Sequence, residues 1–396
     1  MKKVMILGAS IGQLPIIKKA KELGYELAVV DYDDKAVGIP YADKFYHVST
    51  IDEKGVINAA VDFQPDGITT VQTDMPVRAM ARACEKLKLP GITPDTALKA
   101  TDKEKMIEAF KAHDVSSPDF FIIEKEKKIE EFIEKIEYPC IFKPSDNSGS
   151  RGVSLVTHRK QVKEALKHSR DNSRNGRVIV EEFMQGPEVS VEVLMKDGKG
   201  HVLAVTDKMT TGAPYFVEIG HSEQSQLNKK TVDDIKKLAV NALLAVGVTN
   251  GPGHVEIIVT NEGPKLVELG ARLGGDFITT DLVPLSTGVD MLGAVLKNAC
   301  GEDIDSDIVP RFNKGSAIRF IQAEKGRICS VHGIEDAENC KGIVKIELLK
   351  HIGDFVPTLQ SSLDRTGYVI SQADSAKQAM EYCEYALEKI RIDIEK

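Results

Sequence analysis

The sequence has few of the features that mark whole classes of protein. It contains no run of about five like charges and has a net charge of -8, which makes nucleic acid an unfavourable partner. It also has no apolar run of the roughly 18 residues that a membrane helix needs. The start MKKVMILGAS has an apolar stretch too short for a signal-peptide core. We therefore expect a soluble, cytoplasmic protein that binds neither nucleic acid nor membrane.

Cysteine is also scarce. The six cysteines are scattered, with no C-x-x-C pair and no Cys/His spacing typical of zinc sites. We expect reduced, buried thiols rather than a disulfide framework or a zinc centre.

The chain is long enough for two or three domains, since its 396 residues exceed what one hydrophobic core usually serves. Residues 3–31 alternate as strand, glycine turn, helix and strand, which predicts a βαβ unit. Gly8 follows the first strand and Asp31 ends the second, but the second and third glycines of the dinucleotide fingerprint are missing. A doubly wound structural unit is favoured, and NAD binding is the alternative.

A change in the sequence pattern marks the end of this unit. Pro90 and Pro94 flank residue 93, and a capping-box pattern follows at Thr101 and Glu104. Beyond about residue 312 the chain alternates short strands and closes with a charged helix. We predict domains at 1–93, 94–311 and 312–396, combining α/β and α+β structure.

The segment FKPSDNSGSRGVSLV (142–156) predicts a phosphate-binding loop. A Walker loop places its lysine after the glycines at a helix start, whereas Lys143 here precedes Gly149 and Gly152, and a strand follows. We expect the lysine to project from a strand and the loop to form a lid between two strands. A lysine at a strand end is more often an exposed surface charge, and that alternative stays open.

Two glutamates predict a cation site. Glu256 and Glu268 lie equally far from the turn residue Glu262, so we expect them opposite each other on facing strands, about 5 Å apart. Close carboxylates repel unless a cation lies between them, and oxygen ligands alone favour Mg²⁺. The alternative is an exposed pair of solvated carboxylates.

The segment VIVEEFMQGPEVSVE (178–192) completes the pattern. A strand ends at Glu181 and Glu182, where backbone groups can meet a purine edge, and Glu188 follows where a carboxylate can hold ribose hydroxyls. Together with the lysine loop and the paired carboxylates, this segment predicts a site for a nucleotide and Mg²⁺.

The order of these motifs resembles the ATP-grasp superfamily, whose carboxylate-amine ligases include phosphoribosylglycinamide synthetase and the L-amino acid ligases, with biotin carboxylase as a relative. The resemblance covers nearly the whole chain. It implies an ATP-grasp fold with an N-terminal doubly wound pre-ATP-grasp domain, a lid subdomain at about 120–184 and a small C-terminal α+β unit.

The resemblance also implies roles for individual residues. The catalytic set would be Lys143, Glu218, His221 and Arg272, with Arg272 near the transferred phosphate. Glu256 and Glu268 would hold Mg²⁺, or Mn²⁺ in its place. ATP would be bound by Lys103, Lys143, Ser148, Gly149, Ser150, Gly152, Glu181, Phe183, Met184 and Glu188.

Two points stay open. The family commonly reads E-x-N-x-R where this chain has Gly270, so either one or two Mg²⁺ ions would bind. His221 and Glu218 are expected near the carboxylate substrate, although a hydrogen-bonded loop histidine is an equal alternative for His221.

The resemblance implies that ATP converts a carboxylate to an acyl phosphate that an amine attacks, as in an amino acid or dipeptide-forming ligase. One alternative is a bicarbonate-using carboxylase or carbamoyl-phosphate-type enzyme, although the chain has no A-M-K-M biotinylation motif. The other is a regulatory module that binds nucleotide without turnover. The expected partners are a small carboxylate and a small amine, and the family also implies a homodimer.

Overall fold

A computed structural model gives the structure of the protein and describes residues 1–147 and 151–395. Ser148, Gly149 and Ser150, which were predicted in the phosphate loop, lie outside the described residues. Within the described ranges no helix is long and apolar enough to cross a membrane.

The N-terminal unit is a four-stranded parallel sheet in the order β3-β2-β1-β4. Its strands are β1 (Lys3–Leu7), β2 (Glu26–Asp31), β3 (Lys44–His47) and β4 (Gly67–Thr69). Its helices are α1 (Leu14–Glu22), α2 (Glu53–Phe63) and α3 (Val77–Leu87).

Both faces of this sheet are buried. Val4 and Ile6 of β1 pack in one hydrophobic cluster together with α1, whereas Met5 and Leu7 pack in another together with α2 and α3. Successive side chains of a strand point to opposite faces, so helices must cover both sides. The predicted doubly wound unit is confirmed. Asp31 serves the backbone there, because its carboxylate accepts a hydrogen bond from the Ala9 amide at 2.7 Å.

Two helices, α4 (Pro94–Lys99) and α5 (Lys103–Ala112), lead into the second unit. The predicted N-cap at Thr101 is wrong. Asp102 caps α5 by accepting hydrogen bonds from the amides of Glu104 and Lys105, while the Thr101 hydroxyl donates to the Ala97 carbonyl at the end of α4.

The segment predicted as a lid is a separate antiparallel sheet in the order β5-β8-β6-β7. Its core is closed by a helix that packs on β6 and β7. The elements are β5 (Phe120–Ile123), β6 (Cys140–Pro144), β7 (Ser154–Val156), α6 (Val162–Asp171) and β8 (Val178–Glu182).

The largest element is an eight-stranded sheet in the order β13-β12-β9-β10-β11-β14-β18-β16. The strands of its first part are β9 (Glu188–Lys196), β10 (Lys199–Thr210), β11 (Glu218–Glu223), β12 (Gly251–Thr260) and β13 (Gly263–Gly270). The helices of this part are α7 (Lys229–Val246), α8 (Val283–Thr287) and α9 (Met291–Ala299).

The C-terminal segment extends the same sheet. Its elements are β14 (Gly315–Ile321), β15 (Gly326–His332), α10 (Ile334–Glu338), β16 (Ile343–Leu348), β17 (Phe355–Val356), β18 (Gly367–Ala373), α11 (Ala376–Leu387) and β19 (Arg391–Glu395). Because β14 pairs with β11, backbone pairing runs across the boundary predicted at residue 312.

Two minor predictions about this segment and the cysteines are wrong. A strand, β19, follows the last helix and pairs with β15, so the chain does not close with a helix.

Of the six free cysteines, Cys329 is exposed and Cys340 is half-buried, because both lie near the surface of the C-terminal unit.

Candidate active site

The two glutamates predicted as a pair lie directly opposite each other. Glu256 of β12 and Glu268 of β13 are partners in the antiparallel ladder. A bulge after Glu256 shifts the register for the residues closer to the turn, yet the predicted pairing is retained. Both side chains line the same cavity between the lid and the central sheet.

Each of these carboxylates is paired with a lysine. The ammonium group of Lys103, at the first turn of α5, contacts the carboxylate of Glu268. The ammonium group of Lys208, on β10, lies 3.1 Å from Glu256. Lysine ammonium groups therefore compensate the negative charge of the pair in this structure.

Lys208 is a candidate site residue that the sequence did not reveal. Its nitrogen lies 2.6 Å from Glu188 and 3.7 Å from Glu218, in addition to its contact with Glu256. Burial by itself would lower the pKa of Lys208, but Glu256 and Glu188 hold that pKa well above its ordinary value. No motif or spacing in the sequence marks Lys208, so only tertiary packing brings it to these carboxylates.

Burial also acts on the glutamates around Lys208. It tends to raise the pKa of Glu256, yet Lys208 and His254 hold that pKa well below its ordinary value. For Glu188 burial prevails and raises the pKa, although Lys208 opposes it. Glu256 is therefore firmly ionised, as a cation ligand must be.

A cavity of about 170 Å³ lies between the lid and the central sheet. Lys143 of β6 projects into it and forms a 2.7 Å ion pair with Glu181 of β8, and both side chains are almost fully buried. The described residues predicted to bind ATP that line this cavity are Lys103, Lys143, Glu181, Phe183, Met184 and Glu188.

The segment after β8 forms the back of this cavity. The Phe183 amide donates to the Pro139 carbonyl at 3.3 Å, so this backbone group is already used and the expectation of free groups does not hold for it. The carboxylate of Glu181 is engaged by Lys143, which lies on the adjacent strand β6 of the lid sheet. Both residues still line the cavity with Met184.

The described part of the phosphate loop begins again at Arg151. Gly152 adopts a left-handed backbone, with φ of 82°, and a Cβ there would lie 2.7 Å from Asn172 and 2.9 Å from Pro144. Glycine is therefore required at position 152 to let the loop return against the lid. Arg151 lines the cavity.

A second cavity of about 210 Å³ adjoins the first. It is lined by polar side chains from the N-terminal unit, the central sheet and the C-terminal segment, among them Asp74, Arg272 and Ser362. The two cavities share the side chains Lys208, Glu218, Glu256 and Glu268. A molecule bound in one cavity would therefore come next to a molecule bound in the other cavity at Glu256 and Glu268.

Glu218 and His221 lie on β11 at the wall of the second cavity. The buried His221 ring lies 3.3 Å from the Asp276 carboxylate, which also accepts hydrogen bonds from Arg365 at 2.7 and 2.8 Å. Arg365 further donates to the Glu218 carboxylate at 3.2 Å. Burial works to raise the pKa of Asp276, whereas hydrogen bonds from His221 and Arg365 hold it below its ordinary value.

The buried side chain of His254 lies between the carboxylates of Glu192 and Glu256. One ring nitrogen lies 2.5 Å from Glu192 and the other 3.3 Å from Glu256. Burial tends to lower the pKa of His254, but Glu192 raises it to about 9. A charged imidazole between the two carboxylates fixes the orientation of Glu256.

The residues present fit a magnesium ion. Glu256 and Glu268 offer only oxygen ligands, and Mg²⁺ is usually bound by one or two carboxylates together with substrate phosphates. No group of three or more Asp, Glu, His or Cys side chains arranged for a metal occurs within residues 1–147 and 151–395. The remaining ligands would therefore have to come from phosphate and water.

Comparisons with known proteins agree with this architecture. Residues 136–281 match the ATP-grasp domain, and residues 319–395 match the L-amino acid ligase C-terminal domain 2. Alanine–anticapsin ligase of Bacillus subtilis (strain 168) is 29% identical over 321 residues, covering 71% of this chain and 66% of that protein. The chain thus spans about two thirds of the length of the first curated relatives that it matches.

Solved structures show the same fold. The L-amino acid ligase from Bacillus licheniformis superposes with a TM-score of 0.86 at 23% identity, over 100% of this chain and 99% of that one. Phosphoribosylglycinamide synthetase from Anaerococcus prevotii gives 0.80 at 22% identity, over the full length of both chains. At such identities the likeness establishes the fold alone. The chain therefore has an ATP-grasp fold, and its residues 136–281 match the ATP-grasp domain.

Proposed function

We propose that the chain is an ATP-dependent ligase that joins the carboxylate of one small molecule to the amine of another, as in an amino acid or dipeptide-forming ligase. One observation carries the proposal. The cavity behind the lid and the polar cavity beside it share Lys208, Glu218, Glu256 and Glu268. A nucleotide in the first would present its terminal phosphate to a carboxylate in the second.

The first step transfers phosphate. A substrate carboxylate oxygen attacks the γ-phosphorus of ATP, the bond to the β-phosphate oxygen breaks, and ADP and an acyl phosphate form. This reaction needs mainly positioning and charge neutralisation. Lys103, Lys143 and Arg272 would hold the phosphates, and Mg²⁺ bound by Glu256 and Glu268 would neutralise charge that develops during transfer.

The second step forms the amide. The amine nitrogen attacks the acyl carbon, phosphate leaves with the electron pair of the C–O bond, and the nitrogen loses a proton. Glu218 and His221 line the cavity where the carboxylate substrate and the incoming amine would meet, and they lie within reach of Arg365 and Asp276. We propose that these two residues bind the amine or take up its proton.

The domain boundaries at 93 and 311 remain our proposal as well. The first unit contributes Asp74 to the second cavity and the third contributes Ser362. All three units would therefore build the substrate site around the central sheet.

Phosphate release with a panel of amino acids, supplied singly and in pairs with ATP and Mg²⁺, tests the function, and mass measurement identifies the product. We expect ADP, phosphate and a condensed product only when carboxylate and amine are both present. Release that depends on bicarbonate would favour the carboxylase alternative. Nucleotide binding without release under any condition would favour the regulatory module.

Glu268→Gln tests the site itself. It should abolish substrate-dependent ADP release, because one of the two oxygen donors loses its charge. Glu262→Gln at the exposed turn of the same hairpin is the matched control and should keep wild-type activity. Turnover retained in the Glu268 variant would contradict the proposed metal site.

A further inference from the structure

Gly270 ends β13 two residues after Glu268, at the position where the sequence departs from E-x-N-x-R. A Cβ built on Gly270 would lie 2.7 Å from Oδ1 of Asp74 and 2.9 Å from the guanidinium carbon of Arg272. Both distances are shorter than Cβ atoms make in proteins. The space that any side chain at 270 would enter is therefore filled by the carboxylate of Asp74 and by Arg272.

Asp74 comes from the N-terminal unit, and backbone pairing fixes its position. Val71 and Leu273 form a parallel β-bridge, and the Gln72 amide donates to the Leu273 carbonyl at 3.1 Å. These contacts join the segment after β4 to the segment after β13. Asp74 and Arg272 thus face each other from two segments that the fold holds in register.

The two side chains form a close ion pair. Arg272 donates from Nη2 to Oδ2 of Asp74 at 3.0 Å, and its Nε lies 2.9 Å from Oδ1. The Arg272 side chain is only 12% exposed. The single hydrogen bond from Nη2 and the close approach of Nε keep the planar guanidinium against the carboxylate, although Nε and Oδ1 do not form a hydrogen bond with each other.

We propose that Asp74 is a positioning residue for Arg272, and that its carboxylate occupies the space which a side chain at position 270 would need. The proposal rests on the proposed function, in which Arg272 contacts the phosphate that is transferred. The N-terminal unit would then take part in catalysis by aiming an arginine of the ATP-grasp domain. Gly270 follows from this arrangement, since a side chain there would displace Asp74.

Asp74→Asn tests the positioning role because it keeps the shape and removes the charge. We expect kcat for substrate-dependent ADP release to fall about 10–100-fold, the range typical of residues that orient a functional group. The Kd for ADP should stay within about twofold of wild type, whereas a non-hydrolysable ATP analogue should bind about tenfold more weakly. Calorimetric titration with both nucleotides measures this difference without any substrate.

The matched control is Asp62→Asn. Asp62 lies on the same N-terminal unit and pairs with Lys44 at the surface, so its variant should keep kcat and both nucleotide affinities. Wild-type kcat in Asp74→Asn, together with an unchanged preference for the analogue over ADP, would overturn the positioning role.

Gly270→Ala tests the shared space. It should lower the thermal unfolding midpoint by several degrees in the wild-type background, and by clearly less in an Asp74→Ala background, because Oδ1 is then absent. Equal shifts in both backgrounds would overturn the proposal.

The outcomes separate this inference from the ligase proposal. If wild type releases no ADP with any substrate pair, yet Asp74→Asn loses affinity for the analogue alone, the ligase proposal fails and the positioning role stands. If wild type turns over and Asp74→Asn matches it in every readout, only the positioning role fails.

Discussion

The ammonium nitrogen of Lys208 lies 3.1 Å from the carboxylate of Glu256, and the lysine side chain is only 4% exposed. This buried cation also contacts Glu188 and Glu218, so one positive charge compensates three carboxylates from three strands. It stands where the cavity between the lid and the central sheet joins the second, polar cavity. Lys208 therefore has a structural and an electrostatic role at the centre of the site.

Lys208→Met should destabilise the protein strongly. The substitution leaves three half-buried carboxylates without their shared, buried cation, and breaking a buried ion pair by removing one partner typically costs about 3–5 kcal/mol. Urea unfolding at neutral pH measures the free energy of unfolding. Lys230→Met is the control, since Lys230 is 90% exposed and its pair with Asp234 should contribute little. A loss below about 1 kcal/mol for the Lys208 variant would contradict its central role.

Lys143→Met should weaken ATP binding at least about tenfold, as expected when a charge-assisted contact to phosphate is lost. The ion pair with Glu181 already holds the Lys143 side chain in the cavity, so little ordering is needed when a phosphate arrives. Calorimetric titration with a non-hydrolysable ATP analogue measures the affinity. Lys265→Met, at the neighbouring ion pair with Glu182, is the control and should bind normally. Equal affinities in the two variants would remove Lys143 from the nucleotide site.

Arg365→Met should separate catalysis from nucleotide binding. Arg365 reaches from the C-terminal unit to Asp276 and Glu218, and its guanidinium lies 3.7 Å from the centre of the Phe320 ring. Without Arg365, Glu218 loses its partner directly, and His221 is held less firmly because its partner Asp276 loses Arg365. The yield of product per ATP consumed should therefore fall. The affinity for ADP should stay within about twofold of wild type. Product and phosphate are counted in the same reaction. A wild-type ratio of product to phosphate would show that Arg365 does not orient these residues.

The sequence was sufficient to predict the structure wherever a short segment determines the geometry. The pairing of Glu256 with Glu268 follows from one hairpin and its turn, and the two faces of β1 follow from its continuous apolar run. Prediction from the local sequence failed where a residue had a competing contact. Thr101 did not cap α5, because its hydroxyl serves the Ala97 carbonyl and the adjacent Asp102 supplies a better acceptor.

The residues that the sequence did not reveal come from distant segments. Asp74, Lys208 and Arg365 belong to three different parts of the chain and carry no motif of their own. Each acquires its role only when tertiary packing buries its charge beside a residue that a motif had identified. Such contacts have no local periodicity, so spacing along the chain could not predict them.

A last prediction concerns Glu223 on β11, which is fully buried and does not line either of the two cavities of the candidate site. Its carboxyl group accepts hydrogen bonds from the hydroxyl groups of Thr206 and Ser286, both at 2.7 Å. Burial raises the pKa of Glu223 to about 8 from its ordinary value of 4.5, although these two hydrogen bonds oppose the shift. The folded protein therefore keeps this carboxyl group protonated at neutral pH.

This shift gives the stability a definite pH dependence. Below about pH 4.5 the carboxyl group is protonated in both states, whereas between about 4.5 and 8 only the folded state keeps the proton. Since the folded state binds more protons in that window, stability falls as pH rises, by up to about 1.4 kcal/mol per pH unit, and levels off above 8. Glu223→Gln carries no titrating proton and should lose this slope, while Glu126→Gln at an exposed position should keep it. Urea unfolding at pH 5 to 8.5 measures all three proteins, and parallel profiles for wild type and the Glu223 variant would mean that Glu223 is already ionised in the folded state.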